Sequence, residues 1–190
     1  SDHVFHEIAS PDIHVDIFIV EPTAERNYYT LVTSGMGAHR MNVPKELAEY
    51  KLERAEIVVY LPADWNISDH EEKNYWPLRW LKILARLPLE EDSWLGWGHS
   101  VPNGKPFAEN TQLSSVLLIN PENVEEGAAV CQLPNGEEVN FYQMIPLYEE
   151  EVNFKIQNGA ETLLGKMGEI SAVVDIHRLN VCEGFGRPKE

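Results

Sequence analysis

Along the first third of the chain, apolar residues recur with a period of two or in short continuous runs. Val15, Ile17 and Ile19 alternate with Asp16 and Phe18, which predicts a strand over His14–Val20. Shorter stretches of the same kind predict strands over Val4–Ile8, Tyr28–Thr33 and Glu56–Leu61, with a turn at Ser10-Pro11-Asp12. Pro44–Leu52 reads as a short helix. The period then changes. Trp76, Trp80, Ile83, Leu84 and Leu87 fall on one face of a helix spanning part of Asp69–Leu87. Pro77 is expected in its first turn, where a missing N–H costs nothing, and Pro88 is expected to close it. After a loop over Gly96–Pro106 with a short extended piece, strands are predicted at Ser114–Ile119, Ala128–Leu133 and Glu138–Leu147. The last two pair across Pro134-Asn135-Gly136, whose Asn-Gly step favours a hairpin. Two helices, Glu149–Gln157 and Ala160–Met167, are parted by the stop signal Asn158-Gly159. Asp175–Arg178 has no assignable conformation, and Gly184–Glu190 reads as a tail.

This order is not the strict strand–helix alternation of a doubly wound parallel sheet. It predicts an α+β fold: a mixed, largely antiparallel sheet flanked by helices, in a single domain over residues 1–190. The chain shows no repeat, low-complexity tract or linker. Four of the five tryptophans lie between Trp76 and Trp97. Trp76 and Trp80 are expected to press an aromatic face into the sheet. In Trp94-Leu95-Gly96-Trp97-Gly98-His99, the glycines beside Trp97 suggest close packing, whereas Trp94 follows a polar stretch. Trp80 and Trp97 are therefore expected to be buried, and Trp94 to be the more exposed contact residue.

Composition narrows the function. With 190 residues and 43% apolar content, the chain can bury roughly 70% of its unfolded surface. It has no apolar run of about 20 residues and no signal-like N-terminal segment, so a cytoplasmic protein is expected. Its formal net charge of −16 argues against direct contact with nucleic acid or an anionic membrane, because phosphate contacts need Lys and Arg. The charge is uneven: between Leu87 and Phe154 there are twelve acidic residues and one basic residue, Lys105. That imbalance suits a surface steering a basic partner. The residues placed on it are Glu90, Glu91, Asp92, Trp94, Glu125, Glu126, Glu137 and Glu138. Glu149-Glu150-Glu151 has a local explanation, since acids in a first helical turn complement the helix dipole.

Candidate chemistry is sparse. Cys131 and Cys182 are expected to be free thiols, with Cys131 buried in a strand. His14 and Asp16 share one strand face but have no third or fourth partner at metal-ligand spacing. Gly98-His99-Ser100 offers a base and a nucleophile, yet adjacent extended residues point to opposite faces. Asp175-Ile176-His177-Arg178 is expected to form an internal salt bridge anchoring the C-terminal end. Ser34-Gly35-Met36-Gly37 lacks the Lys-Ser/Thr ending of a phosphate loop. The acidic runs lack the interleaved Asn and Gly of a calcium loop. No catalytic residue, metal site or cofactor is assigned.

A series of motifs carries a resemblance. In order they are His14-Val15-Asp16-Ile17, Tyr29-Thr30-Leu31-Val32-Thr33-Ser34-Gly35-Met36, and Ala55-Glu56-Ile57-Val58-Val59-Tyr60-Leu61-Pro62-Ala63-Asp64-Trp65. The Trp76-Pro77 helix, Gly98-His99-Ser100-Val101, Val139-Asn140-Phe141-Tyr142-Gln143-Met144-Ile145-Pro146-Leu147 and Glu149-Glu150-Glu151 follow. From about Val4 to Arg178 the chain resembles a bacterial, single-domain member of the Suppressor of fused (SUFU-like) family. The resemblance implies a mixed α/β domain that binds other proteins and has no established catalytic residues. Family members usually carry a helix before the segment matching Val4–Ile8, and the animal proteins add a second lobe that 190 residues are too few to hold. Animal members restrain a zinc-finger transcription factor, and many bacterial members look like immunity proteins that neutralise a toxin. The favoured expectation is therefore a non-enzymatic, antitoxin-type inhibitor of a basic toxin domain. The alternatives are a regulatory module binding a transcription factor or other intracellular partner, and a small hydrolase or metal-dependent enzyme working through His99 or the His14–Asp16 pair. The sequence sets neither the partner nor an oligomeric state.

Overall fold

A computed structural model describes the backbone of residues 3–7 and the whole of residues 14–168 and 172–186. The predicted turn at Ser10-Pro11-Asp12 lies outside the described residues. The strands are β1 (His3–Glu7), β2 (Val15–Val20), β3 (Tyr28–Ser34), β4 (Ala55–Pro62), β5 (Ser100–Pro102), β6 (Ser115–Ile119), β7 (Val130–Gln132) and β8 (Glu138–Leu147). The helices are α1 (Glu72–Glu90), α2 (Glu149–Asn158) and α3 (Ala160–Met167). The sheet runs β1-β2-β3-β4-β8-β6-β5, with β7 also on β8. Among the named strands of the described residues, β4 and β8 pair in parallel and the other pairings are antiparallel. The predicted mixed, largely antiparallel α+β domain is what forms.

Each face of the sheet carries its own core, as the strand period of two requires. Val116 and Leu118 of β6 join Ile57, Val59, Trp76 and Leu84 in a cluster beneath α1. Their neighbours Leu117 and Ile119 join Val152, Leu163, Met167 and Cys182 beneath α2 and α3. Trp76 is fully buried and stacks on Phe107 at 4.5 Å, and Trp80 meets the same ring edge-on at 5.4 Å.

Several predicted boundaries shift. α1 begins at Glu72 and runs past Pro88, so both prolines lie inside the helix and are buried there. Each removes one backbone donor from the helix interior, an unfavourable arrangement retained where the ring fills core volume. The helix instead ends at Glu90 and is followed by Asp92, whose φ of 46° is left-handed, while the Ser93 N–H donates to the Pro88 carbonyl at 2.9 Å. This is the six-to-one bond of a Schellman termination. The buried arc is centred on Pro77, Leu84 and Pro88, which leaves Ile83 at its edge and 38% exposed. The short helix predicted over Pro44–Leu52 forms as a 3-10 helix at Lys45–Tyr50. β7 is exposed throughout, so Cys131 is an exposed thiol and not a core residue; Cys182 is the buried one.

The stretch Asp175–Arg178, unassigned from sequence, belongs to a strap across the sheet. β4 and β8 stop pairing after Val58 and Gln143. Beyond that point Val173 bridges in parallel to Tyr60, and the Val174 N–H donates to the Tyr60 carbonyl at 2.9 Å. The fully buried Gln143 amide ties both sides, donating to the Ala172 carbonyl and accepting from the Glu122 N–H, each at 2.9 Å. The expected tail is in part structured: Phe185 packs edge-on against Phe154 at 5.1 Å.

Candidate protein-binding surface

The seven carboxylates assigned to an acidic surface fall into three places with different electrostatics. Glu90, Glu91 and Asp92 form the exposed C-terminal end of α1. There Asp92 is held by the Asn42 side-chain amide, which donates to its carboxylate at 3.2 Å and its carbonyl at 3.3 Å. Glu125 and Glu126 are exposed in the loop between β6 and β7. Among the described residues no cation pairs with Glu90, Glu91, Glu125 or Glu126. Glu137 and Glu138 differ, because the fold brings cations to them from a distant stretch of chain. Arg40 lies 2.6 Å and Arg54 3.2 Å from the Glu137 carboxylate, and Lys51 lies 3.4 Å from that of Glu138. The Arg54 guanidinium holds the Glu137 carboxyl below its usual range, and the Gln132 amide does the same for Glu138. The imbalance counted along the sequence is thus partly neutralised in space.

Glu151 is also consumed internally. It is fully buried, caps α2 by accepting from the Tyr148 N–H at 3.0 Å, and takes both arms of Arg178 at 2.5 and 2.6 Å. Arg178 donates in addition to the Pro146 carbonyl at 2.8 Å. This is the predicted C-terminal salt bridge, with Glu151 as partner, while Asp175 closes a local turn on the His177 N–H at 2.9 Å. A second buried carboxylate carried no sequence signal. Glu56 accepts from the Gly35 and Gly37 N–H groups at 2.9 and 2.8 Å and from the Thr33 hydroxyl at 2.5 Å. The glycine loop that lacks a phosphate-binding ending therefore cradles a carboxyl group, one supplied by the chain itself. Burial raises the Glu56 pKa above 4.5 despite these donors.

The tryptophan assignment is reversed. Trp97 is 39% exposed, whereas Trp94 is half-buried, packed on the α1-side core with its ring 4.4 Å from that of His99. The reason lies in the glycines. A Cβ on Gly96 would stand 2.6 Å from the Trp94 ring, so that glycine makes room for Trp94 rather than Trp97. His99 is bonded to the Trp94 backbone, and burial lowers its pKa below 6.5. The Ser100 hydroxyl accepts from the Lys155 ammonium at 3.1 Å, not from His99, and this contact ties β5 to α2. His14 lies 3.0 Å from Asp16. Among the described residues no three His, Cys, Asp or Glu side chains cluster as a metal site would require.

Trp97 stands at the edge of a cavity of about 340 Å³ that sequence reasoning missed. It opens between the β6–β8 part of the sheet, α3 and the strap; Ile119, Ile145, Leu164, Met167 and Val173 form much of its wall. Glu122 and Asp175 stand beside it with exposed side chains. The Glu122 backbone is fixed at both ends, its N–H by Gln143 and its carbonyl by the Tyr60 hydroxyl at 2.8 Å. No helix among the described residues is long and apolar enough to cross a membrane.

Comparison with known proteins agrees with this architecture. Residues 11–179 match the family described as Suppressor of fused protein (SUFU). An uncharacterized protein of Ureaplasma parvum serovar 3 is 27% identical over 181 residues, covering 93% of this chain and 86% of that protein. The crystal structure of a SUFU homolog from Neisseria gonorrhoeae superposes with a TM-score of 0.69 at 19% identity, over 95% of this chain and 87% of that one. A chain of the Sufu–Fu complex does so with a TM-score of 0.61 at 15% identity, over 88% and 77% respectively.

Proposed function

The chain belongs to the Suppressor of fused family, and from that premise we propose that it is a non-enzymatic protein-binding domain that inhibits a basic toxin domain in the cytoplasm. The observation carrying this reading is the set of exposed carboxylates left unneutralised at Glu90, Glu91, Glu125 and Glu126, on a chain of net charge −16. Toxins that act on nucleic acids present basic surfaces to phosphate, and an acidic inhibitor meets such a surface directly. Close charge pairs in interfaces of this kind couple by about 1.5–7 kcal/mol. Glu137 and Glu138 contribute less, because Arg40, Lys51 and Arg54 already engage them.

The test is affinity capture from the native organism, followed by association kinetics with the captured protein. A basic partner is expected, and replacing Glu90, Glu91, Glu125 and Glu126 by Lys should slow association steeply at low salt. An association rate unchanged by that replacement rules out steering by these groups. A second reading, a regulatory module binding another intracellular protein, is favoured by the fold shared with a chain of the Sufu–Fu complex. Finding a large secreted toxin gene beside this one would support the first reading, and capturing a regulator would support the second.

A further inference from the structure

The cavity beside Trp97 is closed to polar occupants and open to cationic neighbours. Its buried polar groups are already paired: both ends of the Gln143 amide are bonded, and Arg178 is held by Glu151 and the Pro146 carbonyl. A polar group pushed into this space would lose water without gaining a partner, which is costly. The rest of the wall is largely aliphatic, sulfur-bearing or aromatic. At about 340 Å³ the space lies at the small end of the range for ligand pockets, about 300–1,000 Å³.

The surroundings set the charge of what enters. Among the described residues, Arg178 is the only basic one lining the cavity, and it is spent on Glu151. Glu122 and Asp175 present exposed carboxylates beside it, and Glu125 and Glu126 follow in the same loop. Trp97, 39% exposed, offers an aromatic surface of the kind that attracts ammonium and guanidinium groups. A second copy of this chain, at −16, is disfavoured by like charge. Because the Glu122 backbone is pinned by Gln143 and Tyr60, this edge needs little ordering when a partner arrives.

We propose that this cavity is an anchor socket: it takes one apolar side chain of the partner, leucine- to phenylalanine-sized, carried on a segment whose flanking residues are lysine or arginine. The proposal rests on the protein-binding reading above and adds to it the place and chemistry of the central contact. Anchors of this kind, filling a preformed pocket inside a charged rim, carry most of the energy in many interfaces.

The test uses the full chain and defined pentapeptides: a central leucine or phenylalanine between paired lysines, the same with central serine, and the leucine peptide with glutamates replacing lysines. Titration followed by NMR should shift the Trp97 indole N–H and the Leu164 and Val173 amides with the lysine–leucine or lysine–phenylalanine peptide. Binding should be at least tenfold tighter than for either analogue. Glu122→Lys should weaken it fivefold or more. Trp97→Ala should do the same while leaving the melting temperature nearly unchanged, since the ring is partly in solvent. Equal binding of the serine or the glutamate peptide, shifts that map away from the cavity, or no binding by any peptide would each overturn the socket. Shifts confined to Glu90, Glu91, Glu125 and Glu126 would overturn the socket but leave the acidic-surface reading intact. A socket that binds the lysine–leucine peptide, together with a captured native partner that is not basic, would instead sink the toxin-inhibitor reading and keep the socket.

Discussion

On the α1 side of the sheet, Trp76 is fully buried and stacked on Phe107; on the α2–α3 side, Trp97 stands 39% exposed beside a cavity of about 340 Å³. Aromatic density is similar in the two stretches of sequence, so density does not separate core from site. Helix length does. The 19 residues of α1 span about 28 Å at 1.5 Å per residue, enough to cross several strands, whereas α2 and α3 have 10 and 8 residues and span about 15 and 12 Å. Two short helices cover β6 and part of β8, and the strap covers the junction with β4. The space left among them is the cavity. Polar groups differ as well: an ion pair, Glu151–Arg178, holds the α2–α3 side together, whereas the α1 side relies on packed rings.

The comparison breaks most visibly in stability. Trp76→Ala or Trp80→Ala should cost about 3–5 kcal/mol, as large-to-small aromatic changes in a core do, against a typical total of about 5–15 kcal/mol. Trp97→Ala should cost less than about 1 kcal/mol. Urea unfolding of the three variants reads the difference directly, and comparable losses at Trp80 and Trp97 would erase it.

On the other side the ion pair should dominate. Glu151→Ala strands the Arg178 guanidinium in a site where its side chain is 8% exposed, at a cost of about 3–5 kcal/mol. Replacing both, with Glu151→Leu and Arg178→Met, should recover part of that loss. A double variant no better than the single one would mean that the backbone bonds of Arg178, rather than the charge pair, hold the strap.

Glu56 sharpens the contrast through pH. Burial disfavours its ionised form, so its folded pKa lies above 4.5, and the native state binds this proton more tightly than the unfolded chain does. The associated stability is fully present below about pH 4.5 and is lost as pH rises through the raised value. Glu56→Gln keeps an acceptor for Gly35 and Gly37 and removes the titration. Its stability relative to the parent should therefore improve from about pH 4.5 upward, and parallel stability curves would refute the shift. The smallest effect is expected at the end of α1. Asp92→Gly relieves a left-handed residue but gives up the Asn42 contact with the carboxylate, so its net change should stay within about 0.5 kcal/mol by thermal unfolding.

Strand periodicity made most of the sheet legible in advance, because Val15, Ile17 and Ile19 announce a half-buried strand without help from the rest of the chain. The α1 face is legible in kind but rotated, since Pro77 and Pro88, residues that commonly mark helix ends, both lie inside the helix and fill the core. The strap was illegible: Val173 and Val174 are placed by the Tyr60 backbone, a partner more than a hundred residues away in sequence. The charge count misled for the same reason, because Arg40, Lys51 and Arg54 reach Glu137 and Glu138 only once the sheet is assembled. Gly96 makes room for the ring of Trp94 and not for that of Trp97, a distinction that local sequence does not carry. The cavity had no local signal, being the space that α3 and the strap leave unfilled.

Trp97 marks the proposed partner-binding side, while Trp76 and Trp80 are core. Hydroxyl-radical footprinting of the five tryptophans, on the free chain and on the chain bound to its captured native partner, tests this division most directly. Trp97 should be oxidised in the free chain and protected in the complex, with little reaction at Trp76 or Trp80 in either. Trp97 equally oxidised with and without the partner, or Trp80 reactive in the free chain, would contradict it.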